Sequence, residues 1–299
     1  MQRIPQYEPN NFKSILDIER TDTGEIFNDF FIEPLSVLKN QAKVPSLPHR
    51  KTVNDFVFVS KGQLEKMVCS DPLTVGEGMF MLLPVYKIRT IIRHSEDIDG
   101  IYCHFSDKFI ADSATGAKQL KEIFHYAELI NNPSLQLDSD HSYRVEWILK
   151  QILKLYEEGN NINLIRTYFS ALIGELHHFT ESKPLPVFSP KETLTLRFRR
   201  LITTRIQDIH AIQEYADLLN VSPNHLNKCV KATTGKTASD IINEALLMEA
   251  KALLSMPQYS VSEVAFSLGF EDASYFSRFF KKHAVQSPSD FRKMIGLSC

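Results

Sequence analysis

Long apolar runs are missing from this 299-residue sequence, and so are the spacings that usually announce a metal or a disulfide scaffold. No stretch of eighteen or more apolar residues occurs, which excludes an ordinary membrane-spanning helix. The start, Met1-Gln2-Arg3-Ile4-Pro5-Gln6-Tyr7-Glu8, lacks the apolar core of a signal peptide, so a cytoplasmic protein is expected. The four cysteines, Cys69, Cys103, Cys229 and Cys299, are far apart without a C-x-x-C pair, which argues against a zinc site or a disulfide framework and for reduced thiols. Net charge is also nearly absent, at -2. Its distribution is uneven, however: from Lys191 onward 14 Lys and Arg face 11 Asp and Glu, while the preceding residues carry 20 against 25. A basic excess in the C-terminal part suits phosphate contact, although an excess of that size proves nothing alone.

What is present is a globular composition, 43% hydrophobic and 23% charged, in a length that fits two domains. The first half reads as β-structure, because short runs rich in Val, Ile, Phe and Tyr alternate with Gly, Pro and Asp turns. Candidate strands are Phe56 to Val59, Leu64 to Cys69, Met79 to Leu83 after a Val75-Gly76-Glu77-Gly78 turn, Tyr86 to Arg93, and Ile101 to Phe105 after Asp99-Gly100. Such closely spaced strands predict a small antiparallel barrel or sandwich.

From about Ala117 the period becomes helical. Leu120, Ile123, Phe124 and Ala127 share a face, as do Val145, Ile148, Leu149, Ile152, Leu155 and Tyr156, and then Leu164, Tyr168, Leu172 and Leu176. These stripes either cover the β-structure or form a dimer contact, and the sequence leaves both open. Glu181 to Pro190 holds three prolines in ten residues, which disfavours helix and strand, so the interdomain linker is placed at 181–190. The expected domains are 1–180, for sensing or dimerisation, and 191–299.

The C-terminal part contains an internal repeat of about fifty residues. Ala216 aligns with Ala265 and Leu219 with Leu268; one extra residue in the second turn then shifts the offset from 49 to 50, so that Leu226 meets Phe276, Lys228 meets Arg278 and Lys231 meets Lys281. Each copy reads as helix, tight turn, helix. In the first, Ile212 to Leu219 is followed by an Asn220-Val221 turn, with Ser222 as cap and Pro223 opening the second helix. In the second, Ser260 and Glu263 make a capping box, Gly269 permits a positive φ, and Asp272 caps a helix running to Lys282. Thr237-Ala238-Ser239-Asp240 is a further capping box, and the helix it opens runs to Leu254. About seventeen residues at 1.5 Å each make a strut of about 26 Å, comparable with one DNA turn of about 34 Å. Two reading helices can then occupy successive major grooves.

At these residues the chain resembles the AraC/XylS family of transcription regulators. The stretch from Val261 to Lys282, Val-Ser-Glu-Val-Ala-Phe-Ser-Leu-Gly-Phe-Glu-Asp-Ala-Ser-Tyr-Phe-Ser-Arg-Phe-Phe-Lys-Lys, with Ser287-Pro288-Ser289-Asp290-Phe291-Arg292 after it, is similar to that family's signature. Tyr215-Ala216-Asp217, Val221-Ser222-Pro223 and Gly235-Lys236-Thr237 agree in the first copy. The first half resembles the cupin-like sensor domain often placed ahead of it, through Pro48-His49, Asp55-Phe56, Gly76-Glu77-Gly78 and Leu83-Pro84. Three departures stand out: Val230 where an aromatic is usual, Leu246 in place of an arginine, and Val285 where glycine normally ends the second reading helix.

The resemblance implies an α+β two-domain protein: an N-terminal cupin-like β-barrel with packed helices, then an all-α domain with two helix-turn-helix units on a long helix. The implied function is sequence-specific DNA binding in transcription regulation, as an activator or a repressor, with double-stranded DNA as partner and RNA polymerase too in the activator case. A small-molecule effector and a homodimer are further candidate partners; no membrane is.

Candidate DNA-binding residues are Ser222, Asn224, His225, Asn227, Lys228 and Lys231 on the first reading helix, and Ala273, Ser274, Ser277, Arg278, Lys281 and Lys282 on the second. Asn reads adenine through paired hydrogen bonds, and Lys reaches guanine or phosphate. Arg278 is the best candidate for a base edge, Lys281 and Lys282 for phosphates; a merely solvated charged face is the alternative. Arg89, Arg93, Tyr102 and His104 are candidates to line an effector pocket in the first half, against the plainer alternative of buried residues satisfied by backbone. Cupin metal sites need clustered histidines, and here His49 is followed by Arg50-Lys51 with His94 and His104 scattered, so neither metal nor cofactor is expected. Two other readings stay open: a cupin-type oxygenase or DNA-repair methyltransferase with a borrowed DNA-binding domain, although no cysteine has a supporting His or Glu near it in sequence, and a ligand-free dimerisation module.

Overall fold

Alternating side chains on one central strand divide the N-terminal half into two cores. Strand β2 (Asn54–Lys61) turns Phe56 and Phe58 to a core shared with helices, while Val57 and Val59 face a second sheet. The computed structural model describes residues 29–41, 44–69, 71–85, 87–111, 114–129, 132–159, 161–183 and 187–295. Tyr86, the linker residues Pro184 to Pro186, and Cys299 lie outside the described residues.

β2 is flanked by β7 (Asp99–Phe105) and β5 (Met79–Leu83), with β1 (Phe30–Pro34) and β8 (Ser134–Gln136) at the edges of this five-stranded antiparallel sheet. Register places Phe56 opposite both Leu82 and Cys103, and Phe58 opposite both Phe80 and Ile101. Gly100 lies so close to β2 that an added Cβ would meet the Phe58 carbonyl oxygen at 2.0 Å, and its φ of +140° is in the glycine region. The second sheet, β4 (Asp71–Gly76), β3 (Gln63–Val68) and β6 (Arg89–His94), is also antiparallel. Leu64, Val68 and Val75 from it pack with Val57, Val59 and Met81.

The expected barrel is therefore corrected: among the described residues no strand belongs to both sheets, and the barrel does not close. The turn expected at Val75 to Gly78 is shorter, since β4 continues through Gly76. Pro72 obscured that strand, and its place on a sheet edge explains why it is tolerated.

Helices α1 (Leu35–Leu38), α2 (Asp107–Ala111), α3 (Ala114–Leu129), α4 (Ser139–Glu157) and α5 (Ile162–Glu181) complete this half. Val145, Ile148, Leu149 and Ile152 of α4 are buried as the stripe predicts. On α5 the stripe holds in its second half: Leu172 and Leu176 are buried, whereas Leu164 is 39% exposed and Tyr168 half-buried, and Ile165, Phe169 and Ile173 also face inward. A strict four-residue spacing drifts by about 40° per step from a helix of 3.6 residues per turn, so the stripe starts off the core at Leu164 and turns onto it by Leu172. α4 and α5 cover the outer face of the five-stranded sheet, as the covering alternative supposed.

The C-terminal half is all helical: α6 (Pro190–Arg205), α7 (Ile212–Leu218), α8 (Pro223–Thr234), α9 (Ala238–Leu254), α10 (Val261–Ser267), α11 (Ala273–Ala284) and α12 (Pro288–Met294). Ser189 and Glu192 form a capping box with Pro190 at the first position, so Glu181 ends one helix and Pro190 opens another at the two ends of the expected linker. Leu194, Phe198 and Ile202 then recur on one face of α6. They join one continuous core with Leu226 and Val230 of α8, Leu246 of α9 and Phe276 of α11. Val230 and Leu246, two of the departures, are thus apolar components of that shared core.

Candidate nucleic-acid interface

The two helical pairs are built alike down to one hydrogen bond. In the first, the Val221 N–H donates to the Ala216 carbonyl at 3.0 Å; in the second, the Phe270 N–H donates to the Ala265 carbonyl at 3.0 Å. The turn between needs a left-handed residue, supplied by Asn220 at φ 56° and by Gly269 at φ 76°. Ala216 and Ala265 are fully buried, which lets the paired helices cross closely.

Each second helix is capped at its exposed end. The Ser222 side chain accepts the His225 N–H at 3.2 Å, and Pro223 follows where a missing N–H costs nothing. The Asp272 carboxylate accepts the N–H groups of Ser274 at 2.8 Å and Tyr275 at 3.3 Å, and the Ser274 bond holds its carboxyl below the usual range.

On α8, Asn224, His225, Lys228 and Lys231 are exposed, while Leu226, Cys229 and Val230 are buried. On α11, Ser274, Arg278, Lys281 and Lys282 are exposed, and Phe276 and Phe280 are buried. The Arg278 guanidinium lies 5.8 Å from the Tyr275 ring centre, a cation–π arrangement on a ring that is 59% exposed. Tyr275 is a surface residue that the sequence reading passed over.

Three expected contacts sit differently. Asn227 is half-buried, and its Oδ1 accepts the Ala238 N–H at 2.9 Å, so paired readout of adenine would require breaking that bond. Ser277 is half-buried and its hydroxyl donates to the Ala273 carbonyl at 2.9 Å; Ala273 itself packs against the core. Cys229 has His225 one turn away, with Sγ 3.7 Å from Nε2, a neighbour missed in the sequence; the thiol is buried.

α9 joins the units. Its 17 residues begin at a Thr237 and Asp240 capping box and bury residues toward both α8 and α11. Val285 ends α11 at φ 63° with its side chain 90% exposed, so the position where glycine was expected does keep left-handed geometry.

The residues proposed for an effector pocket divide. Arg89, Tyr102 and His104 are buried together between the sheets, whereas Arg93 is exposed and pairs with Glu65 at 2.6 Å. Arg89 is ion-paired to Asp55, and Asp55 also accepts from Lys51 at 2.8 Å. Lys51 reaches the Tyr102 hydroxyl at 2.6 Å, and that hydroxyl is 3.4 Å from His104 Nδ1. Burial would raise the Asp55 carboxyl, but Arg89, Lys51 and Lys66 together hold it well below the usual carboxylate range. Burial pushes the Lys51 ammonium down to about 7 against the pull of Asp55, and drives His49 down to about 3. Asp55, Lys51 and Lys66 were missed; a charged residue on the inward phase of an apolar strand was the available signal for Asp55. Among the described residues no group of three or more His, Cys, Asp or Glu could hold a metal ion, and no helix is long and apolar enough to cross a membrane.

A family model described as a helix-turn-helix domain matches residues 215–294. The chain is 22% identical over 249 residues to the uncharacterized HTH-type transcriptional regulator YisR of Bacillus subtilis, covering 82% of this chain and 87% of that one. It is 25% identical to the Msm operon regulatory protein of Streptococcus mutans, over 70% of this chain and 64% of the relative. The HTH-type transcriptional activator RhaS of Escherichia coli is 35% identical over 78 residues, 26% of this chain and 28% of that protein. Among solved structures, apo ToxT from Vibrio cholerae aligns with 91% of this chain and 98% of its own, at 15% identity and a TM-score of 0.41.

Proposed function

We propose that the chain is a DNA-binding transcription regulator similar to the AraC/XylS family, in which α8 and α11 enter successive major grooves on one face of a duplex. The repeated turn, with the same 3.0 Å bond leading into a capped helix with an exposed basic face, carries this reading. Asn224, His225, Lys228 and Lys231 serve the first groove, with Ser222 at the helix start; Ser274, Arg278, Lys281 and Lys282 serve the second. Arg278 reads a base edge and Lys282 a phosphate. Asn227, Ala273 and Ser277 support the helices that do the reading.

Residues 191–299 form the DNA-reading domain, 181–190 the connection, and 1–180 the half through which a small-molecule effector or self-association controls it. The working compartment is the cytoplasm, and RNA polymerase is a partner where the chain activates. Genomic binding sites mapped with the intact protein, followed by footprinting, test the DNA reading. Two protected patches about one helical turn apart on one face are expected; a single patch, or none at any mapped site, would overturn it.

A further inference from the structure

The first turn of α11 presents an aromatic ring at the end of the helix that enters the groove. Tyr275 is 59% exposed, yet its ring is braced from below. The buried Phe270 ring lies 5.8 Å from it and is itself packed against Phe276 at 5.3 Å and Phe279 at 5.4 Å. The Tyr275 N–H is held as well, by the Asp272 carboxylate at 3.3 Å. A ring on a rigid base with its outer part in solvent is a platform.

Arg278 rests on that platform. Residues three apart share a helix face, and helical side chains lean toward the N-terminus, so the Arg278 side chain runs back over the first turn. Its guanidinium ends 5.8 Å from the Tyr275 ring centre. Among the described residues neither its donors nor the Tyr275 hydroxyl has a hydrogen-bond partner, and Asp272, engaged with two backbone N–H groups, forms no ion pair with it. The ring therefore holds the guanidinium while all of its donors stay available.

In the first copy the corresponding positions are His225 and Lys228. There the His225 ring is engaged along its own helix, with Nε2 3.7 Å from the Cys229 Sγ. A lysine ammonium also lacks the planar fork that can stack on a ring and still offer two parallel donors. Both copies place a ring and a cation three residues apart, and the second makes of them a stacked pair.

We propose that Tyr275 is a positioning residue that sets base specificity in the second groove, holding the Arg278 fork in register with O6 and N7 of one guanine. An unrestrained arginine gives up rotamer freedom to reach that edge, and its charge is satisfied equally by a neighbouring phosphate. Stacking removes the first loss and turns the fork from the backbone. The ring thus favours guanine without touching a base. This inference rests on the DNA reading above, and its first measurement needs no DNA.

In the full chain, the Arg278 side-chain protons, identified by their loss in Arg278→Lys, should be displaced upfield by the ring current in the wild type and in Tyr275→Phe, but not in Tyr275→Leu. The second measurement uses duplexes carrying each of the four bases at the position where Arg278→Ala relaxes preference. There Tyr275→Leu should cut the preference for guanine by about twofold to fivefold, the worth of an exposed cation–π contact, and Tyr275→Phe should keep it. In an Arg278→Ala background, Tyr275→Leu should change the preference no further. Tyr275→Gln, which also lacks a ring, repeats the expectation should leucine disturb Phe270. Undisplaced Arg278 protons in the wild type, equal weakening on all four duplexes, equal losses in the phenylalanine and leucine variants, or no position relaxed by Arg278→Ala overturns the proposal. Displaced protons in a wild type that prefers no base anywhere would sink the DNA reading, and this inference with it.

Discussion

The Asn227 side chain accepts the Ala238 N–H at 2.9 Å, tying the first reading helix to the first turn of the rod that joins the two units. In the second unit the equivalent positions are Ser277 and Pro288. Proline has no N–H to satisfy, and Ser277 bonds within its own helix instead. One copy thus meets a free helix N-terminus with a side chain, and the other removes the need for it.

Asn227→Ala should therefore lower stability by about 1 kcal/mol, as loss of a capping bond does, whereas Ser277→Ala should change it by less than half as much. Urea unfolding of both variants measures this. Equal losses would mean that the two positions are not alternative solutions to one problem.

The C-terminal fold was readable because its signals are local. Caps such as Ser260 with Glu263, a left-handed residue such as Gly269, and small crossing residues such as Ala265 act within a few positions of one another, and duplication states them twice. The N-terminal half depends on pairing between distant strands. Phe30 to Pro34 looks unremarkable until β7 lies beside it, and Asp55 looks misplaced on an apolar strand until Arg89 arrives from the other sheet. The bond from the Ala238 N–H to Asn227 was hidden for the same reason: nothing near Asn227 in sequence marks the N–H eleven residues away.

Arg278 and Lys282 are both exposed on α11, yet their substitutions should be distinguishable. Arg278→Ala should cost about 1 to 3 kcal/mol on the preferred site and relax preference at one base position. Lys282→Ala should weaken binding to every sequence and reduce the slope of log affinity against log salt by about 1. Salt titrations on a matched and a single-mismatch duplex would decide, and identical profiles for the two variants count against the assignment.

Val285 holds a β-branched side chain at φ 63°. Left-handed geometry costs a residue of this type about 1 to 2 kcal/mol, and glycine returns about 0.5 to 1 of that through its greater freedom when unfolded. Val285→Gly should raise stability by about 1 kcal/mol without altering DNA affinity, the side chain being exposed at the far end of α11. A destabilised variant would show that the valine makes a compensating contact.

Asp55 is the counter-charge for Arg89 and Lys51 between the sheets. Asp55→Asn should cost about 3 to 5 kcal/mol, because it strands buried cations with no route to water. Because Asp55 pulls against the burial that lowers the Lys51 and Lys66 ammonium groups, its removal lets both give up their protons at lower pH in the folded chain, so the loss should shrink as pH rises from 6 to 8. A loss that stays constant across this range would mean that Asp55 does not hold the protons on these lysines.

Glu249, on the rod between the two reading units, is ion-paired across the seam to Arg50 of the N-terminal half. Burial pushes its carboxyl from 4.5 up to about 7, with Arg50 pulling against that rise. The folded chain therefore keeps a proton between pH 4.5 and 7 that the unfolded chain has released. Stability must fall as pH rises through that window and level off above it, by about 3 kcal/mol at most. Glu249→Gln has nothing to titrate there, so the wild-type advantage over it should shrink from pH 5 to pH 7 and then stay flat to pH 8. Arg50→Met should lift the Glu249 carboxyl further and extend the decline past pH 7. Melting midpoints of the three proteins at pH 5 to 8 settle the matter: parallel curves would place the titration elsewhere, while a converging pair would make the rod's hold on the sheet half weakest where Glu249 is ionised.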